Sequence, residues 1–184
     1  MKPGWMTAMT LATAAAGLAT TGGCRPTVLV TMQNGTLVDA LVLAMAESTT
    51  VRVFAQVGVR VAWTMGGGPA VLPCTERMEI VLDAEAPDHF SPTALAYATV
   101  GNTATAIHVF VNRVVYGHNR GLVPTLLGHV FAHEMVHVLE NVARHSETGI
   151  LKANWGRNDY DEMAMRPLPF APEDAALVRA AFGL

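Results

Sequence analysis

Apolar positions recur along the chain in two rhythms, and the switches between them predict its secondary structure. TVLVTM, Thr27–Met32, is a β-branched run closed by the turn pair Asn34-Gly35 and predicts a strand. From Thr36 to about Val57 the apolar residues fall at Leu37, Leu41, Ala44, Met45, Val51, Val53, Phe54 and Val57. That is mostly helical spacing, weakened in the middle by Ser48-Thr49-Thr50. Gly58 ends the helix, and Val59, Val61 and Trp63 then alternate with Arg60, Ala62 and Thr64 as a half-buried strand. Gly66–Pro69 is a loop and Arg77–Asp83 a further alternating strand. Pro87 and Pro92 mark an irregular segment, followed by the short apolar piece Ala94–Val100. Gly101-Asn102 turns the chain into an expected strand over Thr105–Val115. A long helix is predicted from about Leu122 to Asn141, with Pro124 tolerated in its first turn. A last helix is predicted from Pro172 to Phe182, with Glu173 and Asp174 near its positive end. The remaining C-terminal part is expected to be rich in loops.

The fold class expected from this order is α+β, or mixed α/β. Its sheet of four to five strands packs on two long helices, with a small C-terminal helical part. With 184 residues, 51% hydrophobic and 15% charged, the chain suits one globular domain over residues 27–184. The formal charge of −3, without a basic run, speaks against nucleic acid as a partner.

Residues 1–24 hold one lysine and then an uncharged, Ala-rich apolar run followed by small residues, the signature of an export signal. Gly17-Leu18-Ala19 offers an ordinary signal-peptidase cut. Alternatively, Cys24 after Thr21-Gly22-Gly23 resembles a bacterial lipobox, with Thr21 where leucine is usual. The other cysteine is Cys74, and the two can pair as a disulfide if Cys24 is not lipidated. The expected location is therefore periplasmic or extracellular. Contact with a membrane is expected only through a lipid on Cys24, and the protein is expected to be a monomer.

The chemistry is concentrated in the second long helix, which contains His133-Glu134-Met135-Val136-His137. At about 100° per residue, the two histidines lie about 40° apart and one turn up, on one face. Two imidazoles so placed can grip one zinc ion, and Glu134 can serve beside it as general base to a zinc-activated water. In a chain of this composition chance produces such a motif only about one time in a hundred.

A catalytic zinc needs a third protein ligand and an open position. His129 is unsuited, because three histidines at successive turns span about 12 Å of axis. It is expected in the core or behind the ligands, as are His108 on its strand and His89 and His118 in loops. Glu140 lies too near the helix line. His145 becomes the leading candidate if the helix ends near Asn141, a residue able to adopt the left-handed cap conformation. Its downstream rivals are Glu147, Asp159, Asp161 and Glu162.

The stretch AHEMVHVLENVARHSETGILKANW, Ala132–Trp155, resembles a group of uncharacterised exported bacterial zincin-like proteins. Their pattern is HExxH, seven residues, then HSxxGI(M/L)xAxW. In wider terms the chain is similar to the zincin and metzincin metallopeptidases. The resemblance implies a twisted, mostly parallel sheet over the active-site helix, with His133, His137 and His145 as Zn2+ ligands and Glu134 as general base. It also implies that the piece around Leu95 to Val100 is an edge strand able to pair with an extended peptide. The departures are the step of eight from His137 to His145, Glu140 where metzincins have glycine, and Leu151 where a methionine turn would stand. Leu151 is expected to supply the hydrophobic floor of the site. Tyr160 is a candidate oxyanion donor, although a packing role is the simpler expectation.

The function expected is that of an exported zinc metallopeptidase acting on a peptide or protein. The alternative is a non-catalytic zinc-binding envelope protein of the same fold, which would not need the free carboxylate of Glu134. A metal-free amphiphile-binding lipoprotein is the third reading, and the helix motif disfavours it.

Overall fold

The computed structural model describes residues 24–36, 38–64, 73–99 and 106–184. The expected export signal, the Gly66–Pro69 loop and the Gly101-Asn102 turn lie outside the described residues. The elements are β1 (Thr27–Asn34), α1 (Ala40–Ala55), β2 (Arg60–Thr64), β3 (Thr75–Asp83), β4 (Ala96–Ala98), β5 (Ala106–Phe110), α2 (Val111–Val114), α3 (Val123–Glu140), α4 (Arg157–Met165) and α5 (Pro172–Ala180). The class is the mixed α+β one expected, with two long helices and the histidine motif on the second.

The five strands run in the order β2-β1-β3-β5-β4. All neighbours are parallel except β4, which pairs antiparallel with β5 at the edge. Register places Val30 beside Met78, Ile80 beside Ile107 and Leu82 beside Val109. These residues are buried, while their sequence neighbours Gln33, Glu79, Asp83 and His108 lie on the opposite, more open face. One side of the sheet therefore carries the core, as period-two patterning requires. Cys24 and Cys74, just ahead of β1 and β3, form a disulfide. That bond takes up the thiol a lipid anchor on Cys24 would need.

α1 starts at Ala40 rather than Thr36 because Asp39 caps it, its Oδ1 accepting from the N–H groups of Leu41 at 2.8 Å and Val42 at 3.4 Å. The Ser48-Thr49-Thr50 stretch does not break the helix. Thr49 and Thr50 return their hydroxyls to Met45 O and Ala46 O, each at 3.0 Å. The Thr50 hydroxyl also lies 3.1 Å from Gly128 O, joining α1 to α3. A Cβ on Gly128 would sit 2.5 Å from Ala46 O and 2.6 Å from Thr49 Cβ, so glycine is what lets the two helices meet this closely. From Leu126 to His137 every residue of α3 is buried, on its polar side as well as its apolar one.

Two expectations are corrected. The strand predicted over Thr105–Val115 stops at Phe110 and becomes the short helix α2. Strand alternation would send Val111 and Val114 to opposite faces, whereas a helical turn buries both. It also lets Arg113 donate to Ser91 O at 2.5 Å and Ala94 O at 2.7 Å, fastening the segment ahead of β4. The C-terminal part contains a second helix, α4, where loop was expected. Met163 is its one buried residue, too thin a stripe for periodicity to reveal. Its start is set by the Gly156 N–H donating to Asp159 Oδ2 at 2.7 Å, and its end carries a Glu162–Arg166 ion pair at 2.8 Å.

Candidate metal centre

α3 ends where the sequence placed its end. Asn141 adopts the left-handed conformation at φ 52°, ψ 37°, and the chain turns back. That reversal brings His145 to the motif. The imidazole centroid of His145 lies 5.3 Å from that of His133 and 4.9 Å from that of His137. One ring nitrogen of each of the three histidines lies within 4.8 Å of the others. Among the described residues no carboxylate joins this group. Asp159 is held by Lys152 at 2.6 Å, and Glu162 by Arg166.

Two of the rings are oriented from behind. Nδ1 of His133 lies 2.8 Å from Ile150 O, and Nδ1 of His137 lies 3.1 Å from Val142 O. Each Nδ1 therefore carries the proton and donates it, leaving Nε2 as a bare lone pair. These Nε2 atoms stand 3.1 Å apart, and two lone pairs at that distance repel unless a cation lies between them. Two ligands of a tetrahedral zinc at 2.0–2.1 Å stand about 3.3 Å apart, so the pair fits the ion. Burial pushes His133 down to about 3, with the neighbouring His137 adding to the shift, and burial also lowers His137 and His145. All three are thereby kept as neutral imidazoles, the form that ligates metal.

Glu134 is buried, with 8% of its surface exposed. Burial alone raises its carboxyl to about 8, and a cation held by the neighbouring imidazoles would act in the opposite direction. Its side chain helps line a cleft of about 970 Å³ together with His133, His145, Trp155 and Tyr160. A smaller hollow of about 200 Å³ continues past Glu134, His137 and His145 along Ala96–Ala98. β4 thus runs beside the histidines with one edge on β5. In its register Leu95 and Thr99 bond to β5, which turns the N–H and C=O groups of Ala96 and Ala98 towards the open edge.

The turn under the site has its own requirements. Gly149 adopts φ +76°, and a Cβ there would run into the carbonyl of Pro169. Ile150 N–H donates to that same carbonyl at 2.9 Å, which aims Ile150 O back at His133. Leu151, the expected floor residue, is wholly buried. Trp155 stands edge-on to His133 at 5.3 Å, forming a wall.

The other histidines separate by role. His129 is bonded on both ring nitrogens, to Thr125 O at 2.7 Å and from Leu168 N–H at 3.0 Å, and belongs to the core. His108 pairs with Asp83 at 2.8 Å on the far face of the sheet, and His89 lies tilted against Phe90 at 4.4 Å. His118 is the surprise. It lines the cleft edge-on to Tyr160 at 5.6 Å, with its Nδ1 3.1 Å from Arg113 O. Its place depends on α2, which the sequence pattern concealed.

No protein-family model matches the chain, and no curated protein matches it. Among solved structures it is similar to a zinc-dependent peptidase from Methanocorpusculum labreanum (strain Z), at 10% identity and a TM-score of 0.49. The similarity covers 82% of this chain and 99% of that one. So distant a likeness leaves the function to be argued from the site itself.

Proposed function

We propose that the chain is a zinc-dependent metallopeptidase of zincin type that cleaves peptide or protein substrates. The observation that carries this reading is the convergence of three neutral imidazoles beside a buried carboxylate, unpaired among the described residues, on the wall of an open cleft. His133, His137 and His145 would hold the ion. When bound, zinc would supply Lewis acidity, lowering the pKa of a water and polarising a substrate carbonyl. Glu134 takes the proton of the attacking water and returns it to the leaving amine. The apolar surroundings that raise its pKa also favour its protonated state after the first transfer. An extended peptide pairs with the free groups of Ala96 and Ala98, which lays its backbone across the histidines. Tyr160 and His118 line the same cleft.

A purely structural zinc would tend to a fourth protein ligand and would leave Glu134 without work. The exposed His145 and the open cleft favour catalysis instead. The disulfide favours a non-reducing compartment and hence export to the periplasm or beyond. With the Cys24 thiol engaged, an ordinary signal-peptidase cut upstream fits better than a lipid anchor, and we take the working form to be a monomer.

The test is zinc content and hydrolysis of an unstructured protein substrate by purified variants. Glu134→Gln should keep zinc and lose hydrolysis by about 10²–10⁴-fold. His145→Ala should lose zinc. Unaltered hydrolysis in the first variant sinks the mechanism, and unaltered zinc content in the second sinks the ligand assignment.

A further inference from the structure

His133 and His137 are each aimed by a carbonyl on Nδ1, but the ring of His145 has no hydrogen-bond partner among the described residues. What is held instead is the backbone on either side of it. Arg144 donates to Asp174 Oδ1 at 2.8 Å and to Glu140 Oε2, the last residue of α3, at 3.1 Å. Ser146 donates to the same Asp174 carboxylate, with both oxygens at 2.8 Å, and Arg144 also reaches Ser146 Oγ at 3.1 Å. Asp174 is completely buried in the first turn of α5, where a negative charge is favoured. Ser146 N–H is fixed in addition by Leu151 O at 2.9 Å.

We propose that Asp174 is the positioning residue for the third metal ligand, acting through Arg144 and Ser146, so that α5 sets the coordination number of the site. The inference rests on the reading of His145 as a ligand. A buried carboxylate that satisfies both neighbours of one residue leaves that residue's Cα no freedom to swing away. The ring then needs only side-chain rotation to reach the ion. This device steadies the long step from His137 to His145, which has seven residues between its ends.

The experiment compares Asp174→Ala, Arg144→Gln, Ser146→Ala and the control Glu173→Gln, a residue 74% exposed and 3.8 Å from Arg144. Zinc affinity is measured by chelator competition, and Co2+ is added to the zinc-free proteins to record the visible spectrum. The zinc-free melting temperature is followed in parallel. Asp174→Ala should weaken zinc about 10–100-fold and diminish the intense four-coordinate cobalt bands, with smaller losses for Ser146→Ala and Arg144→Gln and none for the control. If Asp174→Ala does not fold, the two milder variants decide. Wild-type affinity and spectrum in the folded variants overturn the proposal. Failure of the wild-type protein to bind either metal overturns the metal reading on which it stands.

Discussion

Nδ1 of His133, in the middle of α3, lies 2.8 Å from the carbonyl oxygen of Ile150, seventeen residues further on. The contact fixes the tautomer of a proposed ligand, and it exists because Gly149 takes a left-handed conformation, φ +76°, that side chains rarely adopt, in a place where a Cβ would meet Pro169 O. Gly149→Ala should therefore cost about 1–3 kcal/mol from the forced left-handed conformation alone, and more from the clash with Pro169. It should also weaken zinc about 10–100-fold by freeing the His133 ring. Chemical denaturation and chelator competition on one preparation check both, and a variant that loses neither removes the turn from the account of the site.

His129 gives the fold an acid limit. Burial lowers its pKa to about 4 from the ordinary 6.5, with the bond to Thr125 O opposing the shift and the Arg52 charge adding to it. The unfolded chain takes up a proton near 6.5 and the folded chain only near 4. The contribution is thus complete above about 6.5 and falls away as pH drops towards 4, by on the order of 3 kcal/mol. His129→Gln can donate to Thr125 and accept from Leu168 without titrating. Its stability should decline over this range by about one proton less than wild type, and equal slopes refute the assignment.

Gly128 is the point where α1 and α3 touch. Adding a methyl there must push the Thr49 side chain and the Ala46 carbonyl away, so Gly128→Ala should destabilise by about 1–3 kcal/mol although alanine is the better helix former. Since α3 would shift with the repacking, the proposed hydrolysis should fall with stability. An unchanged or higher melting temperature would show that the helices can separate freely.

Replacing both Cys24 and Cys74 by serine opens a link that spans 50 residues of sequence. The chain-entropy model puts the loss at about 4 kcal/mol. Denaturation of the double variant, and of the wild type with and without reductant, measures it. Matching curves would mean that the bond does not form in the folded protein.

Much of the site was legible in the sequence because it is local. Helical spacing alone puts His133 and His137 on one face, and Asn141 announces the left-handed end that returns the chain to His145. The β-branched run of β1 and the alternation in β2 and β3 mark out these strands in the same way. The misses have separate causes. α4 buries almost nothing, so it leaves no stripe, and α2 follows β5 with no turn residue between them, so that a strand and a helical turn look alike.

The sequence by itself determined the histidine pair on one face of α3, the carboxylate between them and the reversal after α3, since each depends on residues within a few turns of one another. Only the tertiary structure decided which of the downstream candidates lies beside the pair, and what holds its backbone there. The Ile150 carbonyl, the Asp174 carboxylate and the open edge of β4 come to the site across 17, 30 and more residues. Contacts at such separations leave no periodic trace, because they arise from packing of whole elements and not from the spacing of side chains along one.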